Sequence, residues 1–192
     1  IRFCTENGNA IFDHADIYGN YTTEAGFGKA FIDSGINRED IQLISKCGIQ
    51  LINERRGSRI KHYEYAKEYI ISSAEASLRN LKTDYLDTFL LHRPSPLMQP
   101  DEISEAITIL QDSGKIINFG LSNFTPSQVD LIANSVPVTA NQIEFSLTKN
   151  EAMFNGTLDK MLQEGIQTMS WSPLGVVFKD ETSQTKRIKA VL

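Results

Sequence analysis

Six short apolar runs, each followed by an amphipathic stretch, dominate this chain and restrict its fold more than any other feature. The runs cover residues 10–15, 42–47, 86–92, 117–121, 139–143 and 167–172. Each is nearly continuously apolar, as strands covered on both faces must be, and alternation with helical stretches specifies βα repeats and a parallel sheet. The intervening stretches carry helix punctuation. Residues 24–34 stop at Gly35, residues 102–113 at Gly114 and residues 158–164 at Gly165, each a residue free to take the left-handed turn that ends a helix. Residues 63–81 form the longest expected helix, with Tyr65, Tyr69, Ser72 or Ser73, Ala76 and Asn80 near one face. Thr125-Pro126-Ser127-Gln128 reads as a capped start, with Pro126 at the first helical position and Gln128 closing a capping box. A further helical segment, residues 1–8, begins the chain.

A barrel built from such units needs eight strands. The expected architecture is therefore an α/β fold of the (β/α)8 TIM barrel kind, present as an incomplete barrel of about six βα units. The first and eighth strands are expected to be missing, and the arc to have two open edges. A single domain over residues 1–192 is expected. The chain starts with Ile1, inside a helical segment, which suggests an upstream segment.

Composition narrows the function. Hydrophobic residues make up 41% and charged residues 22%, ordinary values for a globular domain, and the net charge of −5 offers no footprint for nucleic acid. No apolar run approaches a membrane span and no signal peptide is visible. Two cysteines, Cys4 and Cys47, make no disulfide framework, so a cytoplasmic location is expected, with Cys47 packed as a small hydrophobe. Residues 51–62, with Glu54-Arg55-Arg56-Gly57-Ser58-Arg59, are polar and irregular. They read either as a mobile loop over the rim or as a solvated charge run.

Three of the strand ends deliver an acid, a phenol, an amine and an imidazole: Asp13 and Tyr18, Lys46, and His92. In a parallel barrel such residues converge on one rim. Taken singly, each has a structural explanation in a turn, in packing or on a solvated surface. Together they form a coherent site for carbonyl reduction. A free phenol has a pKa near 10, and an ammonium within reach favours its ionised form. Tyr18 would then donate the proton, Lys46 tune it, Asp13 anchor Lys46, and His92 orient the substrate oxygen.

The residues that carry this set resemble the aldo-keto reductase family: Phe12-Asp13-His14-Ala15-Asp16-Ile17-Tyr18-Gly19 with Glu24 and Gly28, Ile44-Ser45-Lys46-Cys47-Gly48, and Tyr85-Leu86-Asp87 leading to Leu90-Leu91-His92. The resemblance implies Asp13, Tyr18, Lys46 and His92 as the catalytic set. It further implies a nicotinamide cofactor, NADPH with NADH as alternative, and a small-molecule carbonyl substrate. Ser122 and Asn123 would bind the carboxamide, with Gln142 as a further amide partner and Trp171 stacked on the nicotinamide. Ser172, Leu174 and Gly175 would begin the loop at the pyrophosphate. The Trp171-Ser172-Pro173-Leu174 version is similar to bacterial reductases related to potassium-channel β subunits. No metal ligand is implied.

After Gly175 the likeness stops. Residues 176–192 resemble the start of a helix, and Lys186 and Arg187 are not assigned to a cofactor phosphate. The preference for NADP over NAD thus rests on the resemblance alone. Other readings compete: a Schiff-base aldolase using Lys46, a metal-dependent hydrolase using Asp13, His14, Asp16 and His92, and a nicotinamide-binding redox-sensing or regulatory protein, or an inactive truncated barrel.

Overall fold

The computed structural model describes residues 1–191, the Arg55 side chain apart. Among these residues one parallel sheet organises the chain. Its strands are β1 (Ile11–Asp13), β2 (Gln42–Cys47), β5 (Leu86–Leu91), β6 (Ile116–Ser122), β7 (Ala140–Glu144) and β8 (Gln167–Trp171), side by side in that order. All five pairings are parallel. The incomplete barrel expected from the sequence is what the structure shows, with β1 and β8 each paired on one side only among the described residues.

The helices are α1 (Arg2–Glu6), α2 (Thr23–Ser34), α3 (Lys67–Leu81), α4 (Pro100–Asp112), α5 (Pro126–Ala133), α6 (Thr157–Gln163) and α7 (Ser183–Lys189). Helices α2 to α6 each lie between consecutive strands of the sheet, as the crossover connections of parallel neighbours require. The stop signals act as expected at Gly35, in the left-handed conformation with φ of 66°, and Gln128 Oε1 accepts the Thr125 N–H at 3.0 Å to start α5. The core lies between the sheet and the helical layer: Leu43, Phe89, Leu91, Phe119 and Leu121 from the strands meet Ile70, Leu81, Ile103, Ile107, Leu110, Val129 and Ile132 from the helices. Burial of this apolar surface is the main term that holds the arc together.

Helix α2 packs very closely on the end of α3. A Cβ on Gly28 would stand 2.1 Å from the Asn80 carbonyl oxygen. That approach lets the buried Glu24 reach both neighbours, accepting from Ser45 Oγ at 2.6 Å and Asn80 Nδ2 at 3.3 Å.

Two expectations need correction. The long helix begins at Lys67, not at residue 63. His62 and Tyr63 form strand β4, which pairs antiparallel with β3 (Ile49–Gln50) in a small hairpin at the end of β2. Tyr65 is then drawn inward, its hydroxyl donating to the Arg93 carbonyl, and Ala66 stays extended as the helix cap. Burial of Tyr65 and pairing of Tyr63 outweigh the local helical pattern. The first strand is also shorter than expected, ending at Asp13, because His14, Ala15 and Asp16 turn inward and are buried in the loop that follows. The tail forms α7, while Leu192 lies outside the described residues.

The sheet curls strongly. Strands β1 and β7 are separated by three others, so in a flat sheet they would stand about 19 Å apart at ~4.8 Å per step. Yet Gln142 Nε2 on β7 donates to Asp13 Oδ2 on β1 at 3.1 Å. The arc therefore closes far enough for its strand ends to share one concave rim.

Candidate active site

Every predicted tetrad member sits at the C-terminal end of a strand of the main sheet or just past it. Asp13 ends β1, Lys46 is penultimate in β2, His92 follows β5, and Tyr18 lies five residues beyond Asp13 in the β1–α2 loop. Lys46 is completely buried, and a buried ammonium requires compensation. Its Nζ has three acceptors, matching its three protons: Asp13 Oδ1 at 2.7 Å, the His14 carbonyl at 2.8 Å and Tyr18 OH at 3.4 Å. Tyr18 is 37% exposed, with its hydroxyl within reach of the ammonium.

His92 presents its ring edge-on to Tyr18, with centroids 5.9 Å apart. Burial, then the charges of Lys46 and Arg93, push its pKa from 6.5 down to about 3. The imidazole is therefore neutral at physiological pH. Its Nδ1 is buried with no hydrogen-bond partner among the described residues, and its backbone is tied to β2 by His92 N–H to the Cys47 carbonyl at 2.8 Å.

The predicted cofactor residues form a second, adjoining cluster. Asn123 takes the left-handed conformation, φ 64°, a position asparagine tolerates. This turns its amide inward, where Nδ2 donates to Ser122 Oγ at 2.8 Å and to the His92 carbonyl at 3.4 Å. Its Oδ1 accepts from Trp171 Nε1 at 2.9 Å. Gln142 joins this cluster to the tetrad through its bond to Asp13. Ser172, Leu174 and Gly175 stand apart from both clusters, in a turn closed by Gly175 N–H to the Ser172 carbonyl at 2.7 Å. That turn docks on residues 146–149, through Leu147 N–H to the Pro173 carbonyl and Val176 N–H to Thr148 Oγ1.

One donor and one acceptor are left over, the pair that a carboxamide beside a flat ring needs. Among the described residues no group accepts the Ser122 hydroxyl proton and none donates to Gln142 Oε1. Trp171 offers a half-buried indole next to them. The competing metal reading lacks its donors: among the described residues no three His, Cys, Asp or Glu side chains come together to hold an ion.

Several participants escape the sequence patterns. The Gln142–Asp13 bond is one. The guanidinium of Arg93, 5.7 Å from the Trp171 ring centroid, is another. Asp16 is a third: it is buried, receives Ser73 Oγ and Tyr69 OH at 3.3 Å each, and is pushed up to about 7, chiefly by burial. The sequence marked it only within the Phe12–Gly19 segment and as a donor in the metal reading. Cys47 is fully buried, as expected, and neither cysteine is in a disulfide.

Comparison with known proteins places the chain in a family. The model of the Aldo/keto reductase family matches residues 1–190. The chain is 44% identical over 197 residues to the uncharacterized oxidoreductase YcsN of Bacillus subtilis, covering 100% of this chain and 66% of that protein. It is 39% identical over 178 residues to a 6-dehydroglucose reductase of Agrobacterium fabrum, covering 91% and 60% respectively. The solved structure of a thermostable aldo-keto reductase, Tm1743, superposes with a TM-score of 0.83 at 24% identity, over 99% of this chain and 64% of that one. The chain thus spans between three fifths and two thirds of the length of these relatives. The family model covers nearly the whole chain and the fold superposes, and the chain belongs to the aldo/keto reductase family.

Proposed function

We propose that this chain carries the proton-donor site and the nicotinamide-binding half of an NADPH-dependent reductase that converts an aldehyde or ketone into an alcohol, with NADH as the alternative reductant. The observation that carries the reading is the buried Lys46 ammonium, bonded at once to Asp13, the His14 carbonyl and Tyr18 OH.

A reduced nicotinamide, held by Ser122, Asn123 and Gln142 beside the Trp171 indole, would supply the hydride for the carbonyl carbon. The residues of the chain handle the proton. As the carbonyl oxygen becomes an alkoxide, Tyr18 donates its phenolic proton to it. The charge left on the phenolate is met by Lys46, which Asp13 and the His14 carbonyl hold in place, so little reorganisation is needed. Neutral His92 can donate a hydrogen bond to the same oxygen without carrying a competing charge. Ser122, Asn123 and Gln142 would hold the carboxamide, and Ser172, Leu174 and Gly175 would meet the pyrophosphate end.

The substrate is a small carbonyl compound. The relative named as a 6-dehydroglucose reductase makes a sugar carbonyl the first to assay. A cytoplasmic setting fits the two free cysteines; no helix among the described residues is long and apolar enough to cross a membrane.

The test is Tyr18→Phe in the full-length gene product, with carbonyl turnover and NADPH affinity measured side by side. Turnover should fall about a thousandfold, the scale of a lost general acid, while the calorimetric affinity for NADPH stays within about twofold, since the phenol does not hold the cofactor. An unaffected rate removes Tyr18 from its role. NADPH binding with negligible turnover in the wild type would favour the redox-sensing alternative.

A further inference from the structure

Immediately after Tyr18 the backbone enters a conformation that L-residues avoid. Gly19, Asn20 and Tyr21 have φ of 58°, 54° and 69° in succession. Asparagine tolerates this region, but a bulky tyrosine there is an outlier, and such strain persists only when surrounding contacts over-determine it.

Local bonds contribute, Tyr21 N–H to the Ile17 carbonyl at 3.4 Å and Thr22 Oγ1 to the Gly19 carbonyl at 2.7 Å, but the contacts from outside the turn come from the hairpin between residues 49 and 63. The Leu51 N–H donates to Tyr21 OH at 2.9 Å, and that hydroxyl stands 3.5 Å from Gln50 Oε1. The Arg56 guanidinium carbon lies over the Tyr21 ring, 4.2 Å from its centroid. Asn53 Nδ2 donates to Asn20 Oδ1 at 3.2 Å. The strained turn, in turn, folds back on the tyrosine before it: Thr22 and Thr23 N–H both donate to the Tyr18 carbonyl at 3.2 Å. The hairpin grows directly out of β2, two residues past Cys47, so the strand that supplies Lys46 also supplies the clasp.

We infer that residues 49–63 act as a clasp that sets Tyr18 over Lys46, and that Tyr21 and Arg56 are positioning residues for proton transfer. The inference rests on the reductase reading of the site. Its physical basis is the length of the Lys46–Tyr18 contact. At 3.4 Å it is the longest of the three bonds made by Nζ, so a small drift of the Tyr18 backbone is enough to break it. Releasing the clasp lets the turn relax to negative φ and carries Tyr18 with it.

The test compares Tyr21→Phe, Arg56→Met and Arg56→Lys with Tyr18→Phe in the full-length gene product, reading kcat, KM, NADPH affinity and the pH profile of kcat. Tyr21→Phe keeps the ring and removes the two hydroxyl contacts. It and Arg56→Met should lower kcat by about ten- to a hundredfold, the scale of a sub-ångström to ångström misplacement. KM and NADPH affinity should be unchanged, and the alkaline limb of the kcat pH profile should move. Arg56→Lys keeps a cation over the ring and should retain most of the rate. A merely structural role would lower the melting temperature and leave the pH limb in place. Arg56 is exposed, so its variants test the idea even if Tyr21→Phe fails to fold. Unchanged kcat and pH limb in Tyr21→Phe and Arg56→Met, with Tyr18→Phe inactive, would overturn the clasp and spare the reductase reading. Unchanged turnover in Tyr18→Phe would overturn both.

Discussion

Gln142 and Asp13 are 129 residues apart in sequence and lie on strands separated by three others, yet Gln142 Nε2 donates to Asp13 Oδ2 at 3.1 Å. The same carboxylate uses its other oxygen for Lys46. One bond therefore reports the curl of the sheet, and one side chain joins the Ser122–Asn123–Trp171 cluster to the Lys46–Tyr18 cluster.

Gln142→Leu keeps the volume of this buried side chain and deletes the donor. Asp13 is partly exposed and can recover water, so the cost should be about 1–2 kcal/mol, seen as a lower denaturant midpoint at unchanged slope. An unchanged midpoint would mean that the bond across the arc holds nothing together.

Lys46→Met leaves Asp13 Oδ1 and the His14 carbonyl without their donor. Because the Asp13 side chain is 36% exposed, the stability loss should be about 1–3 kcal/mol, below that of breaking a fully buried pair. Turnover at neutral pH should fall at least about a hundredfold. Wild-type-like activity at neutral pH would remove Lys46 from the chemistry.

Stability should depend on pH through Asp16. Burial, with Glu24 adding and Arg56 opposing, lifts its carboxyl from 3.8 to about 7. Between those values the folded chain keeps a proton that the unfolded chain has released, so this contribution falls as pH rises through the window and levels off above it. His92 acts in the opposite sense: below its ordinary 6.5 the unfolded chain gains a proton that the folded chain, held to about 3, refuses. Burial lowers His14 in the same direction. Asp16→Asn should remove only the Asp16 component. Its stability relative to wild type should climb by about 2–3 kcal/mol between pH ~5 and pH ~8, from 1.36 kcal/mol per unit. A pH-independent difference in urea melts would rule out a protonated Asp16.

Gly28→Ala places a Cβ 2.1 Å from the Asn80 carbonyl oxygen and 2.8 Å from the Leu81 carbonyl carbon, both backbone atoms. Helix α2 would have to lift from α3 and loosen the Glu24 contacts with Ser45 and Asn80. A loss of about 3 kcal/mol is expected, the upper range for overpacking. Thermal melts showing no loss would mean that the two helices separate freely.

The strand pattern was legible because inner strands buried on both faces must be apolar, and β2, buried over all but its first residue, spans residues 42–47 as read from the sequence; the edge strands β1 and β8 are half-exposed. The tetrad was legible because strand ends in a parallel barrel point to one rim. The hairpin was not: Ile49–Gln50 and His62–Tyr63 are two residues each, too short to show a period. The start of α3 was misread for the same reason, since the pairing of Tyr63 and the burial of Tyr65 are tertiary events that local propensity does not register. The strain at residues 19–21 was equally hidden, because Gly19-Asn20 announces a turn but nothing local predicts a left-handed tyrosine.

By itself, then, the order of residues determined which segments become strands and helices, and which chemical groups stand at their ends. Hydrophobic periodicity, glycine stops and strand-end placement are local properties, and they suffice for that. Tertiary structure alone decided how far the sheet curls, and hence that Gln142 reaches Asp13. It also decided that the three Lys46 protons go to Asp13, His14 and Tyr18, that burial holds His92 neutral, and that a hairpin grips the turn beyond Tyr18. Those outcomes depend on distances between groups remote in sequence and on the water excluded around them, neither of which is encoded in any single stretch of the chain.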